Sequence, residues 1–278
     1  MMATLIPRLV PTLDIEHQLA QKEHNVVVGF DEVGRGSLAG PAMVGAVALL
    51  ARDSEEEAQW RVPSGVADSK ILTEVRRQSL LHPLQHWCAA WAVGAVSAGE
   101  VDEWGITYAL GVAAVRALNE IEMLLTTGKH TELGESGLAA LAPNCVISPQ
   151  WNGTIAGLGS QTPQVPVLAR HELKVAGILD GPNDYITPVV SSFDAPELLE
   201  PIAVDTLVKA DRQCASVAAA AVIAKVIRDE LMGNLAHANP QWDDYAWASN
   251  KGYGSPAHRS AIAQHGPTAY HRLTWHLF

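Results

Sequence analysis

Residues 26–50 read VVVGFDEVGRGSLAGPAMVGAVALL, and this stretch decides the fold. An apolar run rich in β-branched residues, 26–30, leads into two adjacent acids, Asp31 and Glu32. A glycine-punctuated basic tripeptide, Gly34-Arg35-Gly36, comes next, and a second apolar run occupies 43–50. The pattern predicts two strands, paired as a hairpin, with an acidic, glycine-lined turn between them. Carboxylates at the end of a buried strand are costly to leave without a partner. A cation is the usual partner, and a cation held there can do phosphate chemistry.

Working outward, Asp14 can cap a short helix running to about residue 19, and 73–81 read as a helix behind Asp68-Ser69-Lys70. Residues 88–96 form a third apolar run of strand type. Residues 100–121 have the period of one long helix, with Val101, Trp104, Tyr108, Val112 and Val115 on its core side. The acidic cluster at 54–57 reads as a solvated loop. Residues 123–173 are rich in Gly, Pro, Ser, Thr and Asn without a sustained period. They read as an insertion or extended loop, with one short helix near 138–142. KVAGILDG, 174–181, gives a short strand ending on Asp180, and 199–208 have some strand character. Residues 215–231 are a helix whose smooth patch, Ala218 to Ala221, suits close packing on a sheet. A glycine turn, a short helix and a polar segment follow over 250–271. Strands come early, with helices between and after, so the class is α/β.

At 278 residues the chain reads as one domain with an insertion at about 123–173, and 48% hydrophobic residues suffice for a full core. No apolar run has membrane-spanning length. The N-terminal apolar stretch is broken by Pro7, Arg8 and Pro11 and lacks a basic leader, which argues against a secretory signal. Cys88, Cys145 and Cys214 are far apart and form no CxxC pair, which fits a reducing cytoplasm. The net charge of −11 argues against gripping nucleic acid by bulk charge and leaves room for a single basic face. Carboxylates gathered at a metal would also lower the net charge.

Four acids stand at element boundaries: Asp31, Glu32, Asp180 and Asp211. An Asp-Gly after a strand is by itself an ordinary turn, and an Asp before a helix an ordinary cap. Together with the Asp-Glu pair they suggest a shared metal site. Phosphodiester hydrolysis needs a neutralised phosphate oxygen, an activated water and a stabilised leaving oxygen. Two divalent cations roughly 4 Å apart supply all three. Mg²⁺ prefers oxygen ligands and needs no histidine. The spacing of Gly34, Gly36 and Gly40 does not fit a dinucleotide fingerprint, and no Gly-Lys-Ser/Thr follows to make a phosphate loop.

GFDEVGRGSLAGP, ADSK, ILDG, KADRQCASVAAAAVIAKVIRDELM, NKGYGSPAHRSAI and GPTAYHR occur in this order. They resemble the successive blocks of ribonuclease HII, the type 2 ribonuclease H family, over about residues 26–272 apart from 123–173. The resemblance implies a ribonuclease H-like fold, a mixed central sheet flanked by helices, with a C-terminal helical segment. It implies that Asp31, Glu32, Asp180 and Asp211 are the catalytic, metal-holding acids, with Mg²⁺ or Mn²⁺ as cofactor. It further implies an endoribonuclease that cuts the RNA strand of RNA–DNA hybrids and nicks DNA duplexes 5′ to an embedded ribonucleotide. Its products would carry 3′-hydroxyl and 5′-phosphate ends. The expected setting is a monomer in the cytoplasm serving DNA replication and repair, with no membrane partner. Gly34-Arg35-Gly36 would read the 2′-hydroxyl through close backbone approach. Tyr253 would pack at the ribonucleotide and its junction with the next deoxynucleotide. Lys70 and Arg35 are the favoured phosphate contacts, with Arg212, Lys251, His258 and Arg259 as weaker ones.

Lys225 lies 14 positions after Asp211, roughly 20 Å along a continuous helix, and is expected outside the metal site as an ion-pair or packing residue. The sequence departs from the family pattern at Ala221, where Ser is common, at Ser255, where Thr is usual, and in the length of 123–173. The alternatives are a ribonuclease HIII-like enzyme, which usually carries an extra N-terminal domain, and a non-catalytic hybrid- or ion-binding domain. The four intact acids favour catalysis over binding alone.

Overall fold

β1 (Val26–Val33) and β2 (Ala42–Leu50) pair antiparallel, with Val26 opposite Leu50 and Val33 opposite Met43. This is the expected hairpin, with one difference. β1 continues three residues past its apolar run because β2 offers ladder partners to Asp31, Glu32 and Val33. The two acids are therefore within the sheet. The computed structural model describes residues 10–22, 24–51, 61–140, 148–159 and 168–277. The acidic cluster at 54–57, Cys145 and the end of the helix expected at 138–142 lie outside these residues.

β3 (Ala90–Val96) and β4 (Thr154–Leu158) extend the sheet antiparallel beyond β2. β5 (Val175–Asp180) and β6 (Ile202–Leu207) extend it on the other side, parallel to β1. The order is β4-β3-β2-β1-β5-β6, a mixed six-stranded sheet. α1 (Asp14–Ala20) precedes β1, and α2 (Glu74–Trp87), capped by the Thr73 hydroxyl, precedes β3. α3 (Ala98–Trp104) and α4 (Ile106–Thr127) occupy the stretch expected to be one helix. Gly105, at φ 77°, breaks it, a conformation that glycine takes at little cost. Val101, Val112 and Val115 are buried as expected, whereas Trp104 and Tyr108, which flank the break, are only partly covered.

The stretch 123–173 holds the end of α4, α5 (Glu132–Ala140), β4 and a 3₁₀ turn, Arg170–Glu172. α6 (Ala215–Ala238), α7 (Trp247–Asn250) and α8 (Pro256–His265) complete the chain. Among the described residues Cys88 and Cys214 are buried free thiols, and no helix is long and apolar enough to cross a membrane.

Side-chain alternation along the strands splits the core into layers. Val26, Val28 and Phe30 pack with α4 on one face. Met43 and Val47 pack with α2 and α6 on the other, and Val27 meets α6 there at Val217. The small-residue patch on α6 works as expected. A Cβ at Gly45 would stand 2.5 Å from the Ala220 carbonyl oxygen, and one at Gly29 2.4 Å from the Val217 nitrogen. The backbone of α6 thus lies directly on β1 and β2, which brings the residues before its first turn to the end of β1.

Glu122 of α4 is buried and accepts the Leu199 N–H at Oε2 (2.7 Å), tying α4 to the segment before β6. Burial, with the Glu200 charge adding, pushes its carboxyl up to about 7 despite backbone N–H bonds from Leu199 and Glu200. The folded state therefore holds this proton more tightly than the unfolded chain. The resulting stabilisation is full below about pH 4.5 and is lost as pH rises through about 7. We expect Glu122→Gln to remove a slope worth on the order of 3 kcal/mol at most. Urea unfolding of both proteins between pH 4.5 and 7.5 checks it. Parallel curves would assign the proton elsewhere.

Candidate active site

The four acids come from the carboxyl ends of the three parallel strands. Asp31 and Glu32 are consecutive in β1 and so point to opposite faces. Asp31 follows Val27 and Gly29 toward α6 and is buried, 6% exposed. Glu32 follows Phe30 to the other face, where Tyr185 Oη donates to Oε2 (3.3 Å) and Arg35 Nη1 donates to Oε1 (3.4 Å). Asp180 ends β5, one residue past the pair Phe30–Leu179, which sets it beside Asp31. Asp211 sits in a 3₁₀ turn, Ala210–Arg212, between β6 and α6. The Ala210 N–H donates to Asp180 Oδ1 (2.7 Å) and fastens that turn to the end of β5.

The electrostatics record the convergence. Burial, then the charges of Glu32, Asp180 and Asp211, hold the Asp31 carboxyl well above the usual range, with Lys70 opposing them. Lys70 answers in kind. Burial would lower its ammonium, but Asp31, Asp211, Asp68 and Asp180 together raise it. Burial, then the charges of Glu32 and Asp31, raise the Tyr185 phenol well above its ordinary value.

A fifth acid, Asp68, opens the Asp68-Ser69-Lys70 block, and nothing in the local sequence marks it out. It is buried and accepts Arg212 through Nε (3.2 Å) and Nη2 (2.9 Å) at one oxygen, and the Lys70 N–H (2.8 Å) at the other. Burial would raise it, yet these bonds bring it below the ordinary value. Burial, then the Asp68 and Asp180 charges, push Asp211 up to about 6. Asp68 thus ties the Lys70 loop to the Asp211 turn, and Arg212 is engaged as its ion-pair partner. Among the described residues, no three His, Cys, Asp or Glu side chains stand as a closed ion cage. The donor chemistry itself, carboxylate oxygens with neither sulfur nor imidazole, suits a hard divalent cation.

A cleft of about 420 Å³ opens over Asp31 and Glu32. Gly34, Arg35, Gly36, Lys70 and Tyr253 line it, so the expected recognition residues share one surface with two of the acids. Lys225 forms the expected ion pair, with Asp229 Oδ1 at 2.8 Å. It also lines the cleft, 5.4 Å from the Tyr253 ring centre, because α6 runs along the floor of the cleft. Ala221 contributes to the same floor.

Gly34 and Gly36 differ in kind. Gly34 has φ 77°, and a Cβ there would meet Arg228 Nε at 2.2 Å. Gly36 is exposed at the cleft, and a Cβ there would meet nothing within 4 Å. The fold requires glycine at 34 but not at 36, where the missing side chain leaves the cleft open. We expect Gly34→Ala to lower stability by roughly 1–3 kcal/mol. Gly36→Ala should melt like the wild type and lose at least about tenfold in affinity for a cleft ligand. Thermal melts with titration of a ribonucleotide-containing duplex check both, and an unaltered affinity of Gly36→Ala would count against close approach.

Tyr253 is half-buried, and its hydroxyl accepts the Gly34 N–H at 3.2 Å. His258 is not a phosphate contact. It is fully buried, accepts Trp247 Nε1–H at Nε2 (3.1 Å), and uses Nδ1 toward the Tyr253 carbonyl (2.9 Å). Burial lowers its proton affinity and keeps it neutral, so it fixes the Tyr253 loop from behind. Lys251 and Arg259 flank Tyr253 without lining the cleft. Ser255 caps α8 by accepting the His258 N–H (3.2 Å), a role its hydroxyl fills as a threonine would.

A mixed sheet with carboxylates at its parallel strand ends, covered by α4 on one face and α6 on the other, has a ribonuclease H-like fold. A solved ribonuclease H2 from Pyrococcus horikoshii has the same fold, with a TM-score of 0.50 at 22% identity over 91% of this chain and 94% of that one. The sequence model for ribonuclease HII matches residues 28–133 and 187–278. Ribonuclease HII of Streptomyces griseus is 35% identical over 271 residues, 97% of this chain and 86% of that protein. Ribonuclease HII of Roseiflexus castenholzii is 31% identical over 265 residues, 95% of this chain and 88% of that protein. The chain belongs to the ribonuclease HII family. Asp31, Glu32 and Asp211 fall inside the matched spans, whereas Asp180 falls between them and is tied to the site by its place at the end of β5.

Proposed function

We propose that this chain is a metal-dependent endoribonuclease that hydrolyses the RNA strand of RNA–DNA hybrids and nicks DNA duplexes on the 5′ side of an embedded ribonucleotide. The observation that carries this reading is the gathering of Asp31, Glu32, Asp180 and Asp211 at the parallel strand ends, beside a cleft walled by Gly36 and Tyr253. Four such carboxylates repel one another, and that repulsion becomes attraction toward a divalent cation. They would hold Mg²⁺ or Mn²⁺, whose chemistry is to neutralise the phosphate, activate the attacking water and stabilise the leaving 3′-oxygen. The products would be 3′-hydroxyl and 5′-phosphate ends.

The chain's own residues set where this happens. Lys70 keeps its proton among the acids and is placed to draw a phosphate toward Asp31. Arg35 stands at the cleft mouth as a second phosphate contact. The Gly34–Gly36 backbone lets a sugar edge come close, and the 2′-hydroxyl is the group that marks ribose. Tyr253 offers a ring face to the sugar on the other side of that step.

A DNA duplex carrying one ribonucleotide, incubated with Mg²⁺, Mn²⁺ or chelator, tests the reading. We expect a single nick 5′ to the ribonucleotide with metal and none with chelator. Folded protein that leaves the duplex intact with either ion would refute catalysis and leave hybrid binding as the function.

A further inference from the structure

Arg228 and Arg272 are both fully buried. Neither forms an ion pair with a carboxylate among the described residues; Arg228 spends Nε and both terminal nitrogens, and Arg272 its two terminal nitrogens, on neutral oxygens. Arg228 donates from Nε to the Pro41 carbonyl (2.9 Å), from Nη1 to the Lys251 carbonyl (3.0 Å), and from Nη2 to Ser37 Oγ (2.9 Å) and the Ala39 carbonyl (3.3 Å). Arg272 donates from Nη1 to the Arg35 carbonyl (2.8 Å), and from Nη2 to the carbonyls of Gly34 (2.7 Å) and Gly40 (3.4 Å). The Tyr253 ring lies against the Arg228 guanidinium, 5.3 Å from ring centre to Cζ.

A core has no need of such groups. Buried charge without a counter-ion is costly, and apolar side chains of like volume fill the same space more cheaply. Every acceptor lies either in 34–41 or at Lys251, the two segments that carry Gly36 and Tyr253 to the cleft. The consequence for the turn follows from peptide geometry. Carbonyl and N–H point opposite ways across a planar trans peptide. With the Gly34 and Arg35 carbonyls drawn inward onto Arg272, the N–H groups of Arg35 and Gly36 are turned outward. No backbone bond within the described residues takes up either N–H.

We propose that Arg228 and Arg272 are positioning residues that hold the 34–36 turn and Tyr253 in register, so that two backbone N–H donors and one aromatic face meet the ribose at a fixed spacing. The proposal rests on the ribonucleotide-nicking reading. Arg228→Lys and Arg272→Lys keep charge and length but cannot bridge several carbonyls. Two readouts apply to each folded variant. One is the ratio of affinities for a duplex with one ribonucleotide and the same duplex in DNA alone. The other is amide hydrogen exchange of Leu38 and Gly40, whose N–H groups bond the Gly252 and Tyr270 carbonyls.

We expect each lysine variant to lose about tenfold of that ratio, with affinity for the all-DNA duplex unchanged, and to exchange faster at 38 and 40 but not in β1. A wild-type preference that both variants retain overturns the proposal alone. Wild-type protein that binds both duplexes equally overturns the ribose reading beneath it. If neither variant folds, wild-type exchange decides: amides at 38 and 40 as unprotected as open peptide mean that no clamp exists.

Discussion

We expect Asp31→Asn to abolish cleavage and to raise the melting temperature of the metal-free protein at pH 7. Both halves come from one fact, that Asp31 is buried and feels the charge of the other three acids. An amide keeps the shape but removes the charge, so the site loses a hard anionic ligand and its pull on cations. Removing one electrostatic contributor to a transition state typically costs about 10²–10³ in rate, and loss of a shared metal ligand should reach at least that. The stability half follows from the sign of the proton affinity. Burial and like charges raise the folded-state pKa of Asp31 above its unfolded value of 3.8. Its ionisation therefore works against the fold, and the penalty grows as pH rises through the folded value. Asparagine never meets that penalty. The gain in melting temperature should be present at pH 7 in chelator and vanish as pH falls toward 3.8. Melting curves in chelator, paired with cleavage assays in Mg²⁺ and Mn²⁺, check both halves. Retained turnover would remove Asp31 from the site, and lost turnover with lost folding would make it a structural residue.

Much of this site is legible in the sequence, for a physical reason. Buried strands that end on acids or glycine announce their own ends, so the hairpin, the strand ending at Asp180 and the helix after Asp211 can be read from local pattern. The features that escape that reading depend on partners distant in sequence. β1 runs on through Asp31 and Glu32 because β2 lies alongside, and nothing within 26–33 says so. Gly105 breaks a helix whose apolar period is continuous across it, since a period does not register one left-handed residue. β4, TIAGL, is too short to show alternation and earns its place only as an edge partner of β3. Charged side chains mislead most, because the default expectation puts them in water. Asp68 is spent on Arg212 and Lys70, His258 on the Tyr253 carbonyl, and Arg228 and Arg272 on the turn that carries Gly36. None of these pairings leaves a mark in local sequence, and together they hold the walls of the cleft and the loops behind it.

Tyr253→Ala should cost far more on a duplex with a single ribonucleotide than on a continuous hybrid. The ring is held by Arg228 on one side and Lys225 nearby, and its hydroxyl caps the Gly34 N–H. Tyr253 therefore spans the distance between the helix floor and the glycine turn. On the proposed reading, a rigid ring at that spacing would give the cleft one preferred register for a ribose followed by its neighbour. A continuous hybrid presents a ribose at every step, so a loosened register still finds a cleavable phosphate. A duplex with one ribonucleotide offers a single productive register, and misplacement there is wasted binding. Loss of an aromatic platform costs roughly 1–3 kcal/mol, or about ten- to a hundredfold. We expect that loss in kcat/KM at the single ribonucleotide and a smaller one on the hybrid. Tyr253→Phe separates the two contributions. It keeps the ring and strips the cap, leaving the Gly34 N–H without its partner at a cost of about 1–3 kcal/mol if the group stays buried. If the ring sets the register, phenylalanine retains the preference for the single ribonucleotide and alanine loses it. If the hydroxyl sets it through Gly34, the two variants fall together. Equal losses on both substrates in the alanine variant would deny Tyr253 any part in reading the junction and leave it a prop for the turn.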